Sequence, residues 1–107
     1  MFIYLASPYS HSNPEVRQSR YEAVRDLVGR LTLQHLTVYS PIVYHHYTGI
    51  QCKLPTDADF WWNNNRAMMD SASSLYVYRM PGWEDSLGVM QEIEYARVTG
   101  KTITFLG

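Results

Sequence analysis

Glu92 is the residue whose placement first suggests chemistry. It lies in the stretch Pro81-Gly82-Trp83-Glu84-Asp85-Ser86-Leu87-Gly88-Val89-Met90-Gln91-Glu92-Ile93-Glu94-Tyr95-Ala96. Val89, Ile93 and Ala96 recur at the three- and four-residue spacing of one helix face, and Glu92 falls on the same stripe. Glu94 falls roughly 200° further round, toward solvent. A carboxylate on the sheet-facing side of a helix is costly to bury unless it is paired, hydrogen-bonded or open to a cleft. Two readings follow: Glu92 lines a cleft, or it snorkels to the helix edge or pairs with a nearby Arg. Ser86, at the start of the same helix, is open in the same way. It can be a plain N-cap, or, with the free N–H groups and dipole of the helix end, part of an anion site. The chemistry on offer is that of a poised carboxylate beside an anion-binding helix terminus.

Other reactive side chains are less well placed. His45 and His46 are adjacent, so in extended chain they point opposite ways. No acidic or Cys ligand sits at a familiar spacing, so no metal site is expected; one histidine lining a pocket fits better. Cys52 is the sole cysteine. It can form no intramolecular disulfide, which suits a reducing compartment. Asn63-Asn64-Asn65 is unusual within a helix, because Asn side chains compete for backbone hydrogen bonds. It reads as a polar lining, a subunit contact or a poorly optimised helix.

The elements that must carry these residues alternate. Phe2 to Ala6 reads as a buried first strand. A loop punctuated by Pro8 and Pro14 leads to a helix from about Pro14 to about Gln34, capped by Ser12 or Asn13. Its apolar stripe is Val16, Tyr21 (or Arg20), Val24, Leu27, Val28 and Leu31. Thr37 to Ser40 is a second strand that stops at Pro41. Residues 42–57 read as a long irregular, lid-like segment. Ala58 to about Ser71 is a helix, with Phe60, Trp61, Asn64, Ala67, Met68 and Ser71 able to share a face. Leu75–Tyr78 is the third strand, about Ser86 to about Thr99 the key helix, and Thr102–Leu106 the last strand. Four or five parallel strands covered by helices on both faces are expected, a Rossmann-like or flavodoxin-like α/β domain spanning 1–107. Ligands of such sheets bind outside the C-terminal strand ends.

The totals narrow the function. The 107 residues suffice for one small core. A formal net charge of −1 without runs of Lys or Arg argues against a nucleic-acid polymer. Nine Tyr and three Trp suit small-ligand or subunit docking. No run reaches membrane-spanning length, so no membrane partner is expected. The N-terminal residues lack a basic n-region and are too short for a signal h-region. A cytoplasmic protein is expected.

Three blocks together carry a family resemblance: Tyr4-Leu5-Ala6-Ser7-Pro8-Tyr9; Tyr39-Ser40-Pro41-Ile42 with His46; and Pro81-Gly82-Trp83 with Ser86-Leu87-Gly88-Val89 and Glu92. In order and spacing they resemble the nucleoside 2-deoxyribosyltransferase superfamily, and more closely a compact branch of short single-domain proteins. The likeness spans nearly the whole chain. It implies N-glycosidic chemistry at the C-terminal edge of the sheet, with no cofactor. By resemblance, Glu92 of Gly88-x-x-x-Glu92 is the nucleophile and Tyr4 holds it. Ala6, Ser7, Pro8 and Tyr9 line the sugar and base pocket. Ser86 stands where the hydrolases of deoxynucleoside 5'-monophosphates bind phosphate. Relatives carry Asp where this chain has Asn65; Asp70, five residues on, is the substitute acid, or only a helix-end charge.

The resemblance thus implies cleavage of the base–sugar bond of a (deoxy)nucleoside 5'-monophosphate. Glu92 attacks or stabilises the cationic C1' centre, and water resolves the intermediate. Asp70 or His46 assists departure of the base. Ser86, the helix terminus and Ser7 hold phosphate, and Tyr9 and Trp83 stack on the base. Arg17 and Arg20 either reach the phosphate or are solvated. Deoxyribosyl transfer to a second base shares the chemistry up to the intermediate. A non-catalytic nucleotide sensor and a structural subunit are the readings outside enzymology. The expected partners are a small nucleotide or nucleoside and further copies of the chain, as a dimer or tetramer.

Overall fold

A computed structural model describes residues 1–107. The first strand, β1 (Ile3–Ala6), has every residue buried. It lies at the centre of a four-stranded parallel sheet ordered β2-β1-β3-β4. The others are β2 (Val38–Tyr39), β3 (Ser74–Tyr78) and β4 (Thr102–Leu106). This is a Rossmann-like, flavodoxin-type order, with the chain switching direction across the sheet between β1 and β3. No helix is long and apolar enough to cross a membrane.

Alternation along the strands divides the core. Tyr4 and Ala6 of β1, with Leu75 and Val77 of β3, face α3 (Ala58–Ser71) and α4 (Leu87–Val98) through Met69, Val89, Ile93 and Ala96. Leu5 points the other way, onto Val24, Leu27 and Leu31 of α1 (Pro14–Leu33). Each helix starts on a side-chain cap that satisfies an otherwise unpaired N–H. Asn13 Oδ1 accepts from Glu15 N at 2.9 Å, Asp57 Oδ2 from Phe60 N at 3.1 Å, and Ser86 Oγ from Val89 N at 3.2 Å.

Two expectations are corrected. Residues 42–57 are not an irregular lid, because Pro41–Gln51 form a further helix, α2. Ser40 Oγ accepts from Val43 N at 3.1 Å, and Pro41 sits in the first turn, where its missing N–H costs nothing. Four helices therefore accompany the four strands, rather than three. The face α3 turns inward is also different: Trp62, Met68 and Met69 pack on the core, while Phe60 remains exposed.

Candidate functional site

The loops that leave the C-terminal ends of β1, β2 and β3 enclose a cavity of about 900 Å³. That is ample for a nucleotide-sized ligand. Glu92 is at its wall, only 5% exposed. As its periodicity predicts, α4 carries Glu92 on the buried stripe with Val89, Ile93 and Ala96, while Glu94 faces outward and pairs with Arg97 at 2.7 Å. Tyr4 lies entirely within the core, and its hydroxyl donates to Glu92 Oε2. Burial pushes the Glu92 carboxyl up to about 8, against the opposing pull of the Tyr4 hydrogen bond. Burial, and then the Glu92 charge, hold the Tyr4 hydroxyl well above the usual tyrosine range, so it stays a donor.

The cavity also receives the start of α4. Ser86 and Gly88 line it, with Ser86 both capping the helix and facing the ligand space. Arg17 and Arg20 of α1 line the same space. Their guanidiniums hold backbone carbonyls of the β1–α1 loop: Arg20 Nη1 donates to Ser10 O at 3.0 Å, and Arg17 Nη1 donates to His11 O. Arg20 also packs over Gly82, whose φ is +93° and where a Cβ would stand 2.6 Å from Arg20 Nη2. A side chain at Gly82 would displace that guanidinium and strain the turn. Neither arginine is within ion-pair distance of a carboxylate, the two ion pairs being Arg25–Asp26 and Arg97–Glu94. Two cationic groups without carboxylate partners, beside a helix N-terminus, favour an anion in this part of the cavity, with the Asp85 carboxylate on the same rim opposing them. Ser7, 7% exposed, turns a hydroxyl that has no protein partner toward the same cavity.

The opposite wall is aromatic and imidazole. His46 is 4% exposed; it stacks on Tyr21 at 4.3 Å between centroids and meets the Tyr9 hydroxyl through Nδ1 at 2.7 Å. Its Nε2 lies 2.8 Å from Gln18 Oε1. Burial, then Arg17, depress its basicity, with Glu22 opposing. Trp61, whose indole N–H donates to Pro55 O at 2.8 Å, and Asn65 also line the cavity from α3.

Among the residues singled out in the sequence, Glu92, Ser7, Tyr9, His46, Asn65, Ser86 and Gly88 meet at this cavity, with Tyr4 directly behind Glu92. Ala6 and Pro8 are buried beneath it and do not line it. Asp70 and Trp83 stand elsewhere. Asp70 is exposed near the far end of α3, its carboxylate accepting from the Tyr95 hydroxyl at 2.5 Å. Trp83 begins a 3-10 turn and packs toward Phe105, 6.0 Å between rings. Trp61 is the indole that lines the cavity. Gln18 and Tyr21, which hold His46 without lining the cavity, and His45, Lys53 and Trp61, which line it, were not anticipated as parts of the site. For the first two a signal was present: Pro14, Arg17, Gln18 and Tyr21 share one helical face. No three His, Cys, Asp or Glu side chains converge in a way that could hold a metal ion.

A parallel α/β domain with a buried Tyr–Glu pair at its switch point is the class that fold and site define. The chain belongs to the family described as "Domain of unknown function (DUF1937)", which matches residues 1–107. Comparison with curated proteins finds no match.

Proposed function

We propose that the protein is an N-glycosidase that cleaves the base–sugar bond of a (deoxy)nucleoside 5'-monophosphate through Glu92. The observation that carries this reading is the Tyr4–Glu92 pair, held at the wall of a nucleotide-sized cavity that also opens onto the start of α4. The resemblance to the nucleoside 2-deoxyribosyltransferase superfamily supports it, because Tyr4, Ser86, Gly88 and Glu92 are the positions that match.

The following roles fit this geometry. A 5'-phosphate sits at the start of α4, on Ser86 and its free N–H groups, with Arg20 and Arg17 supplying charge. The Ser7 hydroxyl donates to the sugar phosphate. The ionised Glu92 attacks C1' as the C1'–N bond breaks and its electron pair leaves with the base. Tyr4 orients the carboxylate and keeps one oxygen occupied, leaving the other for C1'. Trp61 stacks on the base. Water then displaces Glu92, releasing the sugar phosphate. An added acceptor base in place of water would give the transferase outcome.

A binding module without catalysis is the second reading. It is favoured by Asn65 and by a carboxyl that is mostly protonated at pH 7. Chromatography after incubation with a panel of nucleosides and their 5'-monophosphates separates the two. Free base from monophosphates, abolished in Glu92→Gln, is expected. Nucleotide binding with no base from any substrate would overturn catalysis.

A further inference from the structure

Asp70 stands outside the cavity and position 65 carries an amide, so the acid expected there is missing; of the carboxylates on the wall besides Glu92, Asp57 caps α3 and Asp85 sits just before α4. The cavity wall instead holds Tyr9 and His46, which Gln18 extends into a hydrogen-bonded chain of three side chains. Gln18 Nε2 faces Glu22 Oε2 at 3.2 Å and the Tyr47 hydroxyl at 3.3 Å, which turns Gln18 Oε1 toward His46. Gln18 Oε1 accepts from His46 Nε2–H at 2.8 Å. That assigns the tautomer: Nδ1 carries the lone pair and accepts from the Tyr9 hydroxyl at 2.7 Å. Stacking on Tyr21 and an edge contact from Tyr47 at 4.9 Å fix the imidazole plane. The charged groups that bear on this imidazole are Arg17 and Glu22 of α1. Tyr9 and His46 both line the cavity.

A histidine whose purpose is packing needs no hydroxyl that also faces the ligand space. Here the imidazole is oriented by an amide on one side and aimed at a cavity hydroxyl on the other. The arrangement has the logic of a nucleophile–base–orienter chain, with Gln18 as the orienting group.

We propose that Tyr9 and His46 are the proton-transfer pair of the site, serving the water that resolves the Glu92-bound sugar. This step rests on the N-glycosidase reading above. The water oxygen bonds to C1' as the C1'–O bond to Glu92 breaks, and the electron pair returns to the Glu92 carboxylate. One water proton passes to Tyr9 Oη while the Tyr9 proton passes to His46 Nδ1. The resulting imidazolium, with Gln18 Oε1 still accepting from Nε2–H, gives up its proton by the reverse path to the base anion that left in the first half-reaction. The net change is one water consumed, with free base and sugar phosphate formed. Tyr9 touches the reacting water, and Gln18 is a positioning residue.

The test uses the full chain and a monophosphate that the wild type cleaves, in rapid-quench assays with and without sodium azide, a nucleophile that needs no base. Tyr9→Phe and His46→Asn are expected to release a first equivalent of base at close to the wild-type rate, then to turn over roughly 10²-fold more slowly. Azide should restore base release in both and form a glycosyl azide. Gln18→Leu, which frees the tautomer, should show a milder form of the same pattern. Thermal melts confirm that each variant is folded, and Tyr9→Phe removes only a hydroxyl should His46→Asn fail to fold. A Tyr9→Phe steady-state rate equal to wild type, or a slow rate that azide leaves unchanged, would overturn the relay while the glycosidase reading stands. No base release by the wild type would overturn both.

Discussion

The Tyr4 hydroxyl donates to Glu92 Oε2, joining the central strand of the sheet to the helix that follows β3. The two residues are 88 positions apart, and both are buried. Parallel pairing of Tyr4 with Leu75 and the packing of α4 through Val89, Ile93 and Ala96 bring them together. A lone carboxylate at this depth would be prohibitive. One strong donor and a cavity on the other side make it tolerable.

Burial of Glu92 sets a stability that depends on pH. Its carboxyl titrates near 8 in the folded chain against 4.5 in the unfolded one. The folded state therefore holds the proton more tightly. Stability is unaffected by this group below about pH 4.5, falls as pH rises toward 8, and levels off above it. The loss is a few kcal/mol, at about 1.4 kcal/mol per pH unit. Glu92→Gln should remove this slope and raise the melting temperature at pH 8 by roughly 4 °C or more. Calorimetry of both proteins from pH 5 to 9 measures it; parallel melting curves would contradict it.

The same proton governs activity. A nucleophilic Glu92 must be ionised, so kcat/KM should rise with pH to a plateau above about 8, the value of the free protein. An acid role for Glu92 would instead give a falling limb. The pH profile of base release decides between them.

Tyr4→Phe removes the group that opposes the effect of burial, so the Glu92 carboxyl should titrate above its present value of about 8. The activity limb should move to higher pH by the same amount, and an NMR titration of the labelled carboxyl would follow the shift directly. Unchanged titration would mean that Tyr4 does not hold the carboxylate in solution.

Much of this site was legible in the sequence, for definite physical reasons. Helix α4 has an N-cap Ser86, an unbroken apolar stripe and a carboxylate on it, and each of these survives folding. What was missed depended on phase or on a cap. Pro41 was read as the end of a strand. With Ser40 before it, it is the first turn of a capped helix, and that helix is what sends His46 inward and leaves Tyr47 exposed. On α3, Asn65 lines the cavity, but Asp70, five residues on, is roughly 140° further round the helix. It could not have replaced an acid at position 65. On α1, Arg17 and Gln18 are polar, so a search for apolar stripes passes over them, and Tyr21, read as part of the apolar stripe, instead stacks on His46.

Arg20, one of the two cations that supply charge to the phosphate, bridges the loops after β1 and β3. Arg20→Met should raise KM for monophosphates roughly tenfold or more while leaving binding of the unphosphorylated nucleoside nearly unchanged. An equal loss with both would assign Arg20 to loop structure alone. Trp61→Ala should weaken binding of base-bearing ligands by about 1–3 kcal/mol, and Trp83→Phe should not. Calorimetric titration with a nucleoside monophosphate separates the two.

Covalent attachment of the sugar to Glu92 is tested most directly by mass spectrometry. The probe is a nucleoside 5'-monophosphate bearing fluorine at C2' in the arabino configuration, which slows departure from a glycosyl ester by destabilising the cationic transition state. The expected result is a protein heavier by one fluorinated sugar phosphate, mapped to the peptide holding Glu92 and absent from Glu92→Gln. Base release with no adduct, or with activity surviving in Glu92→Gln, would contradict Glu92 as the nucleophile.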